Sequence, residues 1–172
     1  MNEKPLRILL VAQLTAGLAK LGVTTPVIAS HQPTTQGRED SGIYFYPITD
    51  NANGWQSRKY NGVDNVKDTQ IVETAFQVTA LIPDNPASLT QATALDVLQL
   101  VRGVVGSLSF VEAMQAAGVG VQRPTSVRTP YFVNDRGQFE MSPSFDFTVS
   151  HKRDIIQLEN YIDSTRFDIH SI

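Results

Sequence analysis

Two long segments of strict alternation constrain the fold of this 172-residue chain more than any other feature. In residues 68–82, apolar side chains such as Phe76 and Val78 alternate with polar ones, and residues 143–154 repeat the pattern around Phe147. Successive side chains of a β-strand point to opposite faces of its sheet, so a period of two predicts one buried face and one hydrated face. The sequence therefore predicts two core strands of an antiparallel sheet.

Leucines near the start of the chain recur at the spacing of a helix. They are Leu6, Leu9, Leu10, Leu14, Leu18 and Leu21. Pro5 suits a first helical turn, and Gly22 suits the position just past the last turn. The pattern predicts an amphipathic helix at the N-terminus.

A pair of helices is predicted in the middle of the chain. Ser88 or Thr90 can cap a helix over residues 92–105, whose apolar side chains recur at helical spacing. Ser109 followed by Glu112 is a capping-box pattern, which predicts that a second, shorter helix follows directly.

Shorter strands complete the predicted fold, at residues 25–29, 42–48, 119–122, 129–133 and 138–141. Residues 30–41 and 50–67 fit no period and predict two long loops. The order of elements predicts a single α+β domain over residues 1–172. Its antiparallel sheet would carry the N-terminal helix and the central helix pair on one face.

Composition argues against several classes of function. The formal net charge is −3 and the cationic residues are spread along the chain, so no patch for gripping nucleic acid is expected. The chain has no cysteine, which excludes disulfides and thiolate zinc sites and fits a reducing compartment. The apolar stretch 6–21 is too short and too polar to span a bilayer. We therefore expect a protein made in the cytoplasm, with no membrane partner.

Motifs for cofactors and metals are not expected either. Gly103 and Gly106 lack the Lys and Ser or Thr that complete a phosphate-binding loop, and close helix packing or a helix end explains them better. His31, His151 and His170 are far apart and match no metal-ligand spacing. The sequence predicts no cofactor and no metal.

Residue types used in hydrolysis do occur near the second long strand. Ser150 and His151 stand close to Asp146 and Asp154, but neighbours on a strand point to opposite faces, which argues against a triad. Glu73 and Asp146 could approach each other on the hydrated face as a carboxylate pair. They could equally face Arg or Lys across the sheet.

The predicted loop 50–67 carries one cluster suited to binding. Trp55, Arg58 and Tyr60 are of the types that anchor protein interfaces. The alternative is that Trp55 pins the loop to its own domain. A nucleic-acid role is weakened by Asp50 nearby.

The C-terminal segment, residues 155–172, holds many large apolar side chains, including Tyr161 and Phe167, without a clear period. Such a segment is expected to dock on its own domain or on a neighbour. Adding a strand to a neighbour's sheet edge is one route to such assembly.

Several short motifs follow one another in a characteristic order. They are Gln32-Pro33, Gly118-Val119, Arg123-Pro124, Arg128-x-Pro130-Tyr131-Phe132, Asn134-Asp135 and Phe139-Glu140-x-x-Pro143-Ser144-Phe145-Asp146. With the opening helix, the long strand ending in proline and the helix pair, the chain resembles the tail terminator proteins of contractile-tailed bacteriophages. These are also called neck terminator or gateway proteins. The resemblance covers nearly the whole chain.

The resemblance implies a structural virion protein of the tail and neck, with no catalytic residues. It implies a ring, usually of six copies, that caps the finished tail tube, ends tail polymerisation and joins the tail to the head-side connector or stopper protein. The implied partners are other copies of the chain, the tail tube protein, the tail sheath protein and the connector, with DNA only in transit.

By position, the resemblance assigns two groups of residues. Glu73, Gln77, Asp146 and Thr148 would face the ring interior. Trp55, Arg58, Tyr60, Tyr161 and Phe167 would meet neighbouring subunits or partners. Two alternatives stay open: a small hydrolase or ligand-binding protein that uses the Glu73, Asp146 and His151 region, or a tail-tube or baseplate component.

Overall fold

The computed structural model describes residues 1–29, 41–60, 65–82, 90–133, 139–141 and 143–158. These ranges contain three helices and seven strands. The elements are α1 (Glu3–Ala19), β1 (Val27–Ile28), β2 (Gly42–Tyr60), β3 (Asn65–Leu81), α2 (Ala94–Val105), α3 (Leu108–Ala116), β4 (Val119–Val121), β5 (Tyr131–Val133), β6 (Phe139–Met141) and β7 (Ser144–Leu158).

Five of the strands form one sheet in the order β1-β2-β3-β7-β4, and β5 pairs with β6 in a separate hairpin. The pairs β2–β3, β3–β7 and β7–β4 are antiparallel. β1 runs parallel to β2, which makes the sheet mixed. The predicted α+β class is confirmed, and the predicted antiparallel arrangement holds for every pair of this sheet except the one that β1 makes.

The alternation that predicted the two core strands is confirmed. Phe76 and Val78 of β3 and Phe145 and Phe147 of β7 are buried, together with Phe45 of β2. The rings of Phe45 and Phe76 meet edge to face with centroids 5.7 Å apart, and Phe76 stacks on Phe147 at the same distance. Truncating such a buried ring costs about 3–5 kcal/mol, so these strands supply a large part of the stability.

The N-terminal helix is confirmed and packs its leucine face into the core. Leu6, Leu10, Leu14 and Leu18 are fully buried, whereas Leu21 lies past the helix end and is exposed. Gly22 follows with a φ of 74°, a left-handed conformation that glycine adopts without a steric penalty.

The helix pair is confirmed, but the predicted cap of α2 is wrong. Thr93 caps this helix: its hydroxyl accepts from the Asp96 backbone N–H at 3.2 Å, and the Asp96 carboxylate accepts from the Thr93 N–H at 3.0 Å. Thr90 lies too far ahead of the first helical residue, Ala94, to cap it, and Ser88 lies outside the described residues.

The predicted capping box of α3 is also displaced. Ser107, not Ser109, caps this helix, because its hydroxyl accepts from the Phe110 backbone N–H at 3.3 Å. The Ser109 and Glu112 pattern therefore lies inside the first turns of the helix rather than at its cap. Phe110 and Met114 are both buried on one face of α3.

The predicted loop over residues 50–67 is wrong. β2 continues to Tyr60 and β3 begins at Asn65, and the two strands pair from Asp50↔Thr74 outward to Tyr60↔Val66. The sequence hides these strands because the pairing register shifts twice, between Pro47 and Thr49 and between Asn53 and Ser57. The first shift adds one residue to β2 and moves later side chains to the other face, and the second adds two residues, so both interrupt a simple period.

Several predictions concern residues outside those that the structure describes. They are residues 30–40 of the first predicted loop, the motif Asn134-Asp135 and, from the C-terminal segment, residues 159–172. Residues 155–158, which the sequence analysis placed after the last strand, belong to β7. The single domain over residues 1–172 stays a prediction.

No individual helix among the described residues has both the length and the apolarity needed to cross a membrane. Only the bent pair α2 and α3, taken together, meets that test by length and composition.

Candidate assembly surface

The three central strands extend well past the helix-packed part of the sheet. The hydrophobic core ends at Phe76 in β3 and at Val149 in β7. We call the remainder the arm; it consists of residues 49–60 of β2, 65–73 of β3 and 152–158 of β7. The rest of the sheet and the three helices form the body.

The four residues predicted to face a ring interior lie together on the sheet face opposite the helices, which we call the open face. Gln77 pairs in register with Asp146, and its side-chain amide donates to the Asp146 carboxylate at 3.3 Å. Thr148 lies two residues further along β7, and Glu73 two residues beyond the partner of Thr148 on β3. Side chains at these alternate positions share one face.

Each carboxylate on the open face has a partner other than a second carboxylate. Arg128 forms an ion pair with Asp146 at 2.5 Å, and the Gln122 amide donates to Glu73 at 3.2 Å. Glu73 pairs with Ser150, which is four residues from Asp146. Four residues of strand span about 13 Å, so the two carboxylates do not form an acid–base pair.

The sheet separates the residues that the hydrolase alternative requires. His151 is 3% exposed and lies on the helix side, with its Nε2 3.2 Å from the Thr74 hydroxyl oxygen. Ser150 points to the open face, as do Glu73 and Asp146. The described side chains therefore do not assemble the Glu73, Asp146 and His151 site.

A polar cluster that sequence reasoning missed joins the arm to the body, and two of its members, Thr74 and His151, are buried. We call Asp50, Thr74, His151 and Arg153 the junction cluster. The Thr74 hydroxyl donates to one Asp50 oxygen at 2.9 Å, and Arg153 binds the other at 2.6 Å. The only sequence signal was the alternation that places Thr74 and His151 on the buried face, because Asp50 fell in the predicted loop.

The surroundings of the junction cluster shift two pKa values. Burial lowers the pKa of His151, and a backbone hydrogen bond at Lys152 offsets only part of that effect. Burial works against ionisation of Asp50, but the hydrogen bonds from Arg153 and Thr74 outweigh it and lower the pKa of Asp50. At neutral pH the cluster therefore holds an aspartate carboxylate and a neutral imidazole.

The arm exposes the aromatic residues predicted to contact neighbours. Trp55 is 99% exposed and Tyr60 is 69% exposed, so Trp55 does not pin this segment to its own domain. Arg58 donates to both oxygens of Asp68, at 3.0 and 3.2 Å, and Asp68 is 3% exposed. Tyr161 and Phe167 lie outside the described residues.

A second ion pair braces β3 against β7 within the arm. Lys67 contacts the Asp154 carboxylate at 2.8 Å, and the Thr69 hydroxyl donates to the same carboxylate at 2.7 Å. The hydrogen bonds from Lys67 and Thr69 lower the pKa of Asp154. Ion pairs and hydrogen bonds therefore connect the strands of the arm on both faces of the sheet.

Chemical groups for a metal or a reaction do not converge elsewhere among the described residues. These residues contain no cluster of three or more His, Asp or Glu that could hold a metal ion. A groove of about 390 Å³ lies between the three helices, and Leu21, Leu100 and Val104 help to line it. Its only ionisable lining residue is Lys20.

Exposed large aromatic residues such as Trp55 and Tyr60 are typical of surfaces that contact other chains. The model of the E217 gateway protein gp29 family matches residues 5–160, and the chain belongs to this family of bacteriophage gateway proteins. This confirms the resemblance inferred from the sequence motifs.

Individual proteins match the chain less well than the family model does. No curated protein matches the chain. Among solved structures, the chain is similar to the sheath/tube terminator of an extracellular contractile injection system, PVC, in its extended state. The TM-score is 0.47 at 12% identity, and the match covers 96% of this chain. This chain spans only 63% of the length of that one.

Proposed function

We propose that the chain forms a ring, of six copies, that caps the tail tube, ends tail polymerisation and joins the tail to the head-side connector while DNA passes through. Membership of the gateway protein family supports a role at the tail. The proposed place of action is the neck of the virion, after synthesis in the host cytoplasm.

The observation that carries this proposal is the open face. Glu73, Gln77, Asp146 and Thr148 line one side of the sheet without a covering helix among the described elements, and Arg128 on this side is held by Asp146. Each Lys or Arg that engages a phosphate adds to non-specific DNA affinity. A wall whose arginine is already neutralised would let DNA move past it.

The arm supports the proposed contacts with other chains. Exposed Trp55 and Tyr60 offer large apolar area, and the side chain of Arg58, which lies between them in sequence, is held by Asp68. Aromatic and arginine side chains dominate binding energy at protein interfaces. We assign these residues, with Tyr161 and Phe167 from the sequence, to contacts with neighbouring subunits, the tail tube, the sheath or the connector.

Electron microscopy of tails assembled with and without the chain tests the proposal. We expect tubes of irregular length and unfinished ends in its absence, and tails of defined length when the wild-type chain is supplied. Tails of normal length and finish without the chain would refute the terminator role.

The same images separate the tail-tube and baseplate alternatives. A tube protein stacks repeatedly along the tail, whereas a terminator occupies one layer at the head-proximal end. Antibody or gold labelling of the chain should therefore mark a single site at that end. Labelling along the tube, or at the distal end, would favour one of those alternatives.

A further inference from the structure

Within the body, β1 covers the outer edge of β2. Within the arm, no described strand covers that edge. β1 pairs with β2 at Ile43 and Tyr44, and the Ile43 backbone N–H donates to the Pro26 carbonyl at 2.8 Å. Further out, no described strand lies beside residues 49–57, which we call the β2 margin. Half of the backbone groups there point away from β3, as in any edge strand.

The opposite side of the sheet shows the same division. Residues 119–128 run beside β7 through the body. β4 pairs with residues 149–151, and the backbone N–H of Gln122 donates to the Thr148 carbonyl at 2.9 Å. Arg128 forms an isolated antiparallel bridge with Ser144. Residues 152–157, which we call the β7 margin, have no strand beside them in the part of the chain that the structure describes. The arm therefore has two margins able to accept a strand, the β7 margin from Arg153 outward, because the Lys152 carbonyl already accepts from the Met1 amine.

The two margins carry only partial protection against pairing: a register shift interrupts the β2 margin after Asn53, and exposed Lys152 lies at the start of the β7 margin. Proline and unpaired charges protect natural edge strands, but the β2 margin contains no proline. On the β7 margin, Arg153 is held by Asp50 and Asp154 by Lys67, so these charges are already neutralised within the chain.

The two margins also suit each other in side-chain character. Trp55 lies on the β2 margin, with Tyr60 further along the same strand, and Ile155 and Ile156 lie on the β7 margin; all four are exposed. Aromatic and β-branched residues are favourable partners across strands. Residues 155–157 carry no charge, so they do not repel the cationic end of β2.

We propose that the β2 margin of one copy pairs with the β7 margin of the next, so that the arms join into a continuous sheet. β2 and β7 both run antiparallel to β3 and so point the same way, which a rotation about a ring axis preserves. Such a head-to-tail contact closes into a ring and uses both margins, whereas a foreign strand on one margin leaves the other open. This inference rests on the proposed ring.

The register suggests a specific cross-link. Asn53 and Lys152 both pair with Ile71, so they lie at the same level on the same face of the arm, and both are exposed. With strands along the ring axis, a rotation brings Asn53 of one copy beside Lys152 of the next. Because the chain has no cysteine, Asn53→Cys and Lys152→Cys supply the only thiols.

The test treats the doubly substituted chain with a short bifunctional thiol cross-linker, both in solution and on assembled tails. We expect a ladder of covalent species above the dimer, whereas each single variant stops at the dimer. A chain with Asn53→Cys and Glu112→Cys, the latter exposed on α3, is the matched control and should give no ladder. Circular dichroism checks that all variants fold.

Two results would overturn the inference. If native mass spectrometry shows a ring but the double variant gives no ladder, the copies join elsewhere and the proposed function stands. If neither a ring nor a ladder forms, in solution or on tails, the inference fails as well. In that case the tail-length assay decides whether the proposed function fails with it.

Discussion

At the scale of single residues, close contacts decide what a position tolerates. Gly17 lies where α1 meets α2: a Cβ atom there would come within 2.4 Å of Val104 Cγ1. Gly103, one residue before Val104, has no atom within 4 Å of the equivalent position. The two glycines lie in neighbouring helices but differ in what surrounds them.

This difference predicts opposite effects of the same substitution. Gly103→Ala should raise the free energy of unfolding by about 1 kcal/mol, because alanine has the higher helix propensity. Gly17→Ala should lower it, because overpacking a core contact costs about 1–3 kcal/mol. Urea denaturation of both variants measures the two values. Adding Val104→Ala should make Gly17→Ala less harmful; an unchanged loss would contradict the packing explanation.

At the scale of elements, the alternation of apolar and polar residues predicts the strand segments that pack on helices. It does not predict the arm, which packs on none of the described helices. The core strands have one buried and one hydrated face, and this arrangement produces an alternation of apolar and polar residues in the sequence. In residues 49–60 of β2 every side chain is exposed, and two register shifts interrupt the pattern. Periodicity could not predict this arm.

For the candidate surface too, periodicity predicts the residues on the core strands but not their contacts with distant segments. Glu73, Gln77, Asp146 and Thr148 were placed correctly on one face, because they alternate with the core residues. The junction cluster was missed because it depends on Asp50, which reaches Thr74 only through a strand pairing that no local pattern records. The partners Gln122 and Arg128 come from distant segments for the same reason.

The junction cluster predicts a loss of stability in mild acid. Burial holds the pKa of His151 below its usual 6.5, so well above pH 6.5 the imidazole is neutral in both states and this contribution to stability is complete. As the pH falls from 7 to 5, the unfolded chain binds the proton first, and the free energy of unfolding decreases. Asp50, whose pKa is also lowered, contributes in the same direction only near pH 4 and below.

Denaturant unfolding between pH 7 and pH 5 measures this effect. His151→Gln keeps a hydrogen-bonding side chain beside Thr74 but cannot titrate, so its stability should vary less over that range. A variant whose pH dependence matches that of the wild type would show that another group is responsible.

At the scale of the whole molecule, the proposed passage of DNA requires an open face that holds DNA weakly. The formal net charge of −3 and the pairing of Arg128 with Asp146 act together. Lys and Arg residues are spread along the chain rather than clustered in one segment.

Neutralising one wall carboxylate should therefore strengthen DNA binding. Asp146→Asn leaves Arg128 without its counter-charge, and one additional phosphate contact steepens the salt dependence of log K by about 0.9. Binding of duplex DNA measured over a range of salt concentrations checks this. Glu112→Gln makes the same charge change on α3 and should have little effect; an equal increase in both variants would argue against a DNA-facing wall.

The unbroken course of β3 from the arm into the core has a mechanical consequence. β3 is paired on both sides along nearly its whole length, from the tip of the arm to the buried phenylalanines. A force along the arm is therefore shared by many backbone hydrogen bonds in shear, instead of opening them one at a time. The arm can therefore bear a pulling force although no described helix packs against it.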